Sequence, residues 1–210
     1  MKYIFLLFIL IFTGCSFKTP PDQWRADANS AAMQYQQNYL KDNLALAQKD
    51  YERAIEYAKT SAFIDTLARI ELTRCALKIM HGKQQSCKEL KDYSSVSKDP
   101  AIGAYQAMLE KNLSQNDLSN LPKRYRAFAK AFKQNNTAKS IEAMKQIDNP
   151  TSRLLAGALV RQNLTAKDVQ QLIDMASYHG YKKSVMFWLE YKSSRFEDEK
   201  ARTLLRLLHD

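Results

Sequence analysis

The side chains able to do chemistry are few and widely spaced. The three histidines, His81, His179 and His209, never stand four residues apart, so the paired imidazoles of an HExxH zinc helix are absent. The chain has no GxSxG elbow, no GxxxxGK phosphate loop and no GxGxxG turn. The acidic run Glu197-Asp198-Glu199 reads as charge at the start of a helix, where carboxylates meet the positive pole of the peptide dipoles. These observations give the expectation of no catalytic residue, no metal ligand set and no cofactor, hence not an enzyme. Three cysteines remain: Cys15 closes an apolar N-terminal stretch, and Cys75 and Cys87 lie near one another in mid-chain.

Two stretches carry side chains suited to binding. No acidic residue occurs between Asp117 and Glu142. Within that stretch Lys123, Arg126, Lys130 and Lys133 share one face of a helix at about 100° per residue, with Leu121, Tyr125, Phe128 and Phe132 roughly opposite. The apolar side reads as core. The basic side is either a solvated face or a contact for an anionic surface or acidic partner. The second stretch runs from Tyr178 to Phe196. Its Val185-Met186-Phe187-Trp188-Leu189 run is apolar nearly all round, which fits a helix buried between neighbours or lining a groove. Tyr178, Tyr181, Trp188 and Tyr191 are either core of the C-terminal layers or aromatic anchors for a bound peptide.

The N-terminus speaks to compartment. One cation, Lys2, precedes the apolar run Tyr3 to Phe12, then Thr13, Gly14 and Cys15. A run of about ten apolar residues is too short to cross a bilayer as a helix, which takes roughly 20, and fits a secretory signal. Phe12-Thr13-Gly14-Cys15 resembles the lipobox of bacterial lipoproteins, with Phe12 where leucine is usual. That resemblance implies diacylglycerol thioether-linked to Cys15, cleavage after Gly14, and usually a third acyl chain. One acyl chain binds membranes marginally, whereas two or three hold. Ser16, in place of the aspartate that commonly retains such proteins at the inner membrane, implies the periplasmic face of an outer membrane.

Export bears on the remaining residues. In an oxidising compartment Cys75 and Cys87 read as one disulfide. Cys75 lies near the end of a helical run that stops at His81-Gly82, and Ser86-Cys87-Lys88-Glu89 looks like a capping box opening the next helix. The bridge would clip two helices across their turn, worth about 3 kcal/mol in the chain-entropy model. The other reading makes Cys75 a small core residue and Cys87 an independent thiol. The formal net charge is +10, and loss of residues 1–14 removes one cation and no acid. Nucleic acid is not expected as a partner outside the cytoplasm. Anionic headgroups, cell-wall polymer or acidic proteins fit the charge and the address.

The elements that must position these side chains are helices. The chain is 45% hydrophobic with only 5 Gly and 5 Pro. Valine is rare while alanine and leucine lead, which favours helix over strand. Trp24, Ala28, Ala31, Tyr35 and Tyr39 keep helical spacing and predict a first helix running to about Gln48. Asp99-Pro100 and Asn149-Pro150 read as N-cap and first helical residue. Thr165 to Asp168 and Ser194 to Glu197 read as helix starts, and Gly82 and Gly180 as helix ends. Lys49 to Ala58 resembles the second helix of a tetratricopeptide repeat, with Ala54 as the small residue that lets paired helices approach; Ser140 and Ser184 take that place in two weaker copies. The intervals are not multiples of 34, so the resemblance implies a degenerate helical array.

The combined expectation is an all-α protein of about ten to eleven helices, antiparallel hairpins stacked as an irregular α-solenoid. Residues 1–14 are a signal peptide, 15–21 a lipidated tether and 22–210 a single periplasmic domain. The expected function is that of a membrane-anchored adaptor or assembly factor for an envelope machine, acting by protein–protein binding. The alternatives are a cell-wall or anionic-lipid binding factor, and a helical cell-wall hydrolase.

Overall fold

The computed structural model of the chain describes residues 22–83 and 86–209. The signal-like stretch 1–14, the tether 15–21 and Cys15 lie outside the described residues. Within them there is no strand. α1 (Gln23–Leu40) and α2 (Leu44–Lys59) form a first hairpin, and α3 (Ile64–Met80) follows. A 3-10 turn at Lys88–Leu90 leads into α4 (Lys91–Val96), then α5 (Pro100–Leu109) and the single-turn α6 (Asp117–Asn120). α7 (Lys123–Lys133) and α8 (Thr137–Lys145) form a second hairpin. α9 (Pro150–Leu159) precedes a third, α10 (Ala166–Tyr178) with α11 (Lys182–Phe196), and α12 (Glu199–His209) packs on α11.

Local chemistry explains most boundaries. Asp99 accepts from the Ala101 amide and Asn149 from the Ser152 amide, each with proline as the first helical residue. Thr165 and Asp168 make a reciprocal capping box at α10. Three expectations are corrected. The first helix ends at Leu40 rather than near Gln48, because Asp42 adopts a left-handed backbone (φ 66°) and turns the chain into α2. The last helix is capped by Asp198, which accepts from the Ala201 amide at 2.8 Å, while Ser194 sits inside α11. Cys87 opens only a 3-10 turn, and its amide donates to Glu110 Oε1 at 2.9 Å.

The three hairpins turn in the same way. Asp42, Asn135 and Gly180 are left-handed (φ 66°, 53° and 65°). After each, an amide reaches back to a carbonyl in the last helical turn: Asn43 to Asn38 (2.8 Å), Asn136 to Ala131 (3.0 Å) and Tyr181 to Ala176 (2.9 Å). This bond pattern satisfies carbonyls that would otherwise end the helix unpaired. Ala54, Ser140 and Ser184 are all buried, as small residues between close helices should be.

α3 lies at the centre. It packs against α1, α2, α4, α5 and α9, and it is buried along most of its length. α1 also touches α11, so the first and third hairpins meet and the stack curls upon itself. Two bonds mark that closure. Lys183 pairs with Asp42 at 2.7 Å, and His81 on the end of α3 meets Ser184 of α11 at 3.0 Å. The sulfurs of Cys75 and Cys87 stand at disulfide distance with Cα atoms 5.6 Å apart.

Candidate functional site

The helix α7 places its residues as their spacing dictates. Lys123, Arg126, Lys130 and Lys133 are exposed, Tyr125 and Phe128 are buried, and Phe132 is half-buried. Arg126 also has structural work. Its guanidinium donates to the Leu121 carbonyl at 2.9 Å and the Ser119 carbonyl at 2.7 Å, closing the end of α6. Arg126 is thus part of the scaffold, and the free cations of this face are Lys123, Lys130 and Lys133, for which no ion pair forms among the described residues.

The C-terminal aromatics divide. Trp188 is fully buried, and its indole N–H finds no acceptor among the described residues. It is core, which corrects its assignment to a binding surface. Tyr191 is half-buried and donates its hydroxyl to the Arg161 carbonyl at 2.7 Å, so it ties α11 to the turn after α9. The physical reason lies in α11 itself: wedged between α10, α12 and α1, it has little free face. Of the four aromatics only Tyr178, ahead of α11, is exposed. Tyr178 is 87% exposed, and His179 stacks on the half-buried Tyr181 with centroids 5.5 Å apart.

The structure adds a concavity that no motif announces. A cavity of about 300 Å³ opens between α3, α5, α7 and α9. Leu72, Leu77, Met80, Ile102 and Leu155 line its interior. One wall carries Tyr105 and Tyr125, whose hydroxyls share a hydrogen bond at 3.1 Å. Burial pushes both phenols above the ordinary tyrosine range, so both stay neutral. The mouth bears Arg69, which pairs with Asp99, and Arg124, which has no acidic partner there. Arg124 also belongs to α7, but at about 100° per residue it lies on the cavity side of that helix, away from Lys123, Lys130 and Lys133. A cavity of this size lies at the small end of ligand sites and takes one or two side chains. Sequence reasoning missed it because its residues come from four elements, and Tyr105 and Tyr125 pair only through the packing of α5 on α7.

Other polar clusters serve the fold. Tyr51 donates its hydroxyl to Glu71, and Arg74 lies over the Tyr51 ring at 4.9 Å while pairing with Glu71 at 3.3 Å. This network joins α2 to α3, and burial raises the Tyr51 phenol so that it stays protonated. Lys145 bridges to Asp168 at 2.8 Å, linking α8 to α10. Among the described residues no group of three or more His, Cys, Asp or Glu side chains is placed to hold a metal, and no helix is long and apolar enough to cross a membrane. No protein-family model matches the chain, and no curated protein or solved structure matches it either.

Proposed function

We propose that the chain is a non-enzymatic adaptor or assembly factor of the bacterial envelope, lipid-anchored through Cys15 at the periplasmic face of an outer membrane, and that it acts by binding protein. The observation that supports this most is the apolar cavity whose mouth holds Arg124 of α7, which has no acidic partner among the described residues. An apolar floor with cations at the rim suits an acidic protein segment that inserts one apolar side chain. Burial of that side chain contributes about 1.5–3 kcal/mol, and the cations set approach and register. The anchor confines the domain to a thin layer and raises its effective concentration for membrane partners.

The test is site-specific photocrosslinking in cells, with the probe at Thr73 on the cavity and a control probe at Gln171 on exposed α10. A discrete protein adduct from Thr73 alone, lost when Arg124→Glu and Lys130→Glu are combined, is the expected result. An adduct unaffected by the charge reversal overturns the cavity as the docking site. A second reading, a cell-wall or anionic-lipid binding factor, draws on the basic face alone. It gains if the same pair abolishes salt-sensitive sedimentation with purified cell wall and no protein adduct forms. Release of soluble wall fragments by the purified chain overturns the non-enzymatic reading.

A further inference from the structure

The first turn of α1 carries an exposed aromatic stack. Trp24 lies on Phe63, from the turn between α2 and α3, with ring centroids 5.7 Å apart and planes 17° from parallel. Phe63 is 57% exposed and Trp24 only half-buried. Arg25 sits against both rings, its guanidinium carbon 5.3 Å from the Trp24 centroid and 5.1 Å from that of Phe63, and it also pairs with the exposed Asp22 at 3.3 Å. Lys59, the last residue of α2, is exposed at the same end of the hairpin. Large apolar rings left in water beside cations have a cost that another surface would remove. Tryptophan with arginine is the combination that partitions to the headgroup layer of a bilayer, where one part of each side chain stays apolar and the other wet.

The position of the stack names the surface. Eight residues lie between Cys15 and Trp24, so nine residue steps join them. Nine residues of fully extended chain reach at most about 30 Å. A lipid on Cys15 would therefore hold this end of the domain within that distance of the bilayer. We propose that Trp24, Arg25 and Phe63 form a membrane-docking corner that seats the domain on the anionic phospholipid surface and fixes its orientation. The inference rests on the proposed Cys15 anchor. Once the anchor pins the chain, even one tryptophan and one phenylalanine at the headgroups bias orientation, because the entropy of association has already been met by the lipid.

The chain supplies its own reporters. It has two tryptophans, Trp24 and the fully buried Trp188. The lipidated full chain is reconstituted in phosphatidylethanolamine–phosphatidylglycerol vesicles with and without brominated acyl chains. In Trp188→Phe, emission from Trp24 is expected to fall at least twofold in brominated vesicles, and Phe63→Ser to reduce that quenching. In Trp24→Phe, emission from Trp188 is expected to stay constant. Should Trp188→Phe lose its helical circular dichroism, the native signal minus that of Trp24→Phe gives the same quantity. Flotation and mass spectrometry report the anchor separately. A chain that is lipidated and floats, yet shows equal Trp24 emission in both vesicles, overturns the docking corner and leaves the anchor standing. A chain that carries no lipid and does not float overturns the anchor and the corner with it.

Discussion

At the scale of single residues, His81 is the most constrained titratable group. Its Nδ1–H donates to the Leu77 carbonyl at 2.8 Å, and its Nε2 accepts from the Ser184 hydroxyl at 3.0 Å. Tyr39 and Phe187 enclose the ring, at 5.6 Å and 5.8 Å between centroids. Burial is the main cause that lowers its pKa to about 4, with Lys183 adding to the effect and the Leu77 and Asp42 interactions opposing it. The folded protein then binds the proton only below about 4, whereas the unfolded chain binds it below about 6.5. Between those values the unfolded state carries more protons, so stability falls as pH falls. The difference amounts to about 3 kcal/mol once the pH has dropped through the whole interval. Thermal unfolding measured from pH 7 to pH 4.5 should show this decline. In His81→Asn the slope across that window should flatten, whatever the starting stability. An unchanged slope would assign the pH dependence to other groups. Asp168 contributes in the same sense at lower pH. Burial raises its pKa, but bonds from Lys145 and Thr165 outweigh this, and the net shift is downward.

At the scale of elements, the helix packing depends on two glycines for different reasons. Gly180 is left-handed at the α10–α11 turn, and a Cβ there would meet nothing within 4 Å. Gly180→Ala therefore measures backbone strain alone, and we expect a loss of about 1 kcal/mol by denaturant titration. Gly157 is helical, and a Cβ would stand 2.7 Å from Leu172 Cδ1 and 3.3 Å from Met144 Sδ. Leu172 and Met144 are themselves buried, so neither side chain yields easily. Gly157→Ala should cost about 1–3 kcal/mol through overpacking, and combined with Leu172→Ala in the same chain the total loss should be smaller than the sum of the two separate losses. Additive effects of the two changes would mean that the helices do not approach each other so closely. The hairpin turn itself was only partly legible. Gly180 announces a left-handed residue, but Asp42 and Asn135 fill the same place, and aspartate and asparagine occur equally well inside caps.

At the scale of the whole molecule, the Cys75–Cys87 pair ties the end of α3 to the segment that leads into α4. Closing a loop with a sequence separation of 12 constrains mainly the unfolded chain, by about 3 kcal/mol in the loop-entropy model. For a domain of this size that is on the order of 10 °C in melting temperature. We expect reduction to lower the melting temperature by that amount, and Cys75 and Cys87 to resist alkylation in the unreduced, folded protein. Ready alkylation of both thiols without unfolding would remove the bridge.

The helical class, several caps and the inward face of α7 were readable from the chain because they depend on neighbours within one or two turns. Asp99 and Asn149 beside prolines, the Thr165–Asp168 box and the spacing of Tyr125 and Phe128 are all local statements. The disulfide distance was also foreseen, because Cys75 and Cys87 flank one turn. Four features needed the packed molecule. Trp188 and Tyr191 looked like interface anchors because their helix is apolar all round, and only the contacts of α10, α12 and α1 decide that this face is core. Arg126 looked like a free cation until its reach to Ser119 and Leu121 was in place. The cavity with Arg124 at its mouth, and the meeting of His81 with Ser184, join residues from separate helices. Sequence spacing governs which side of a helix is apolar; which neighbour covers that side, and where a gap is left, is settled only when all the helices compete for the same buried volume.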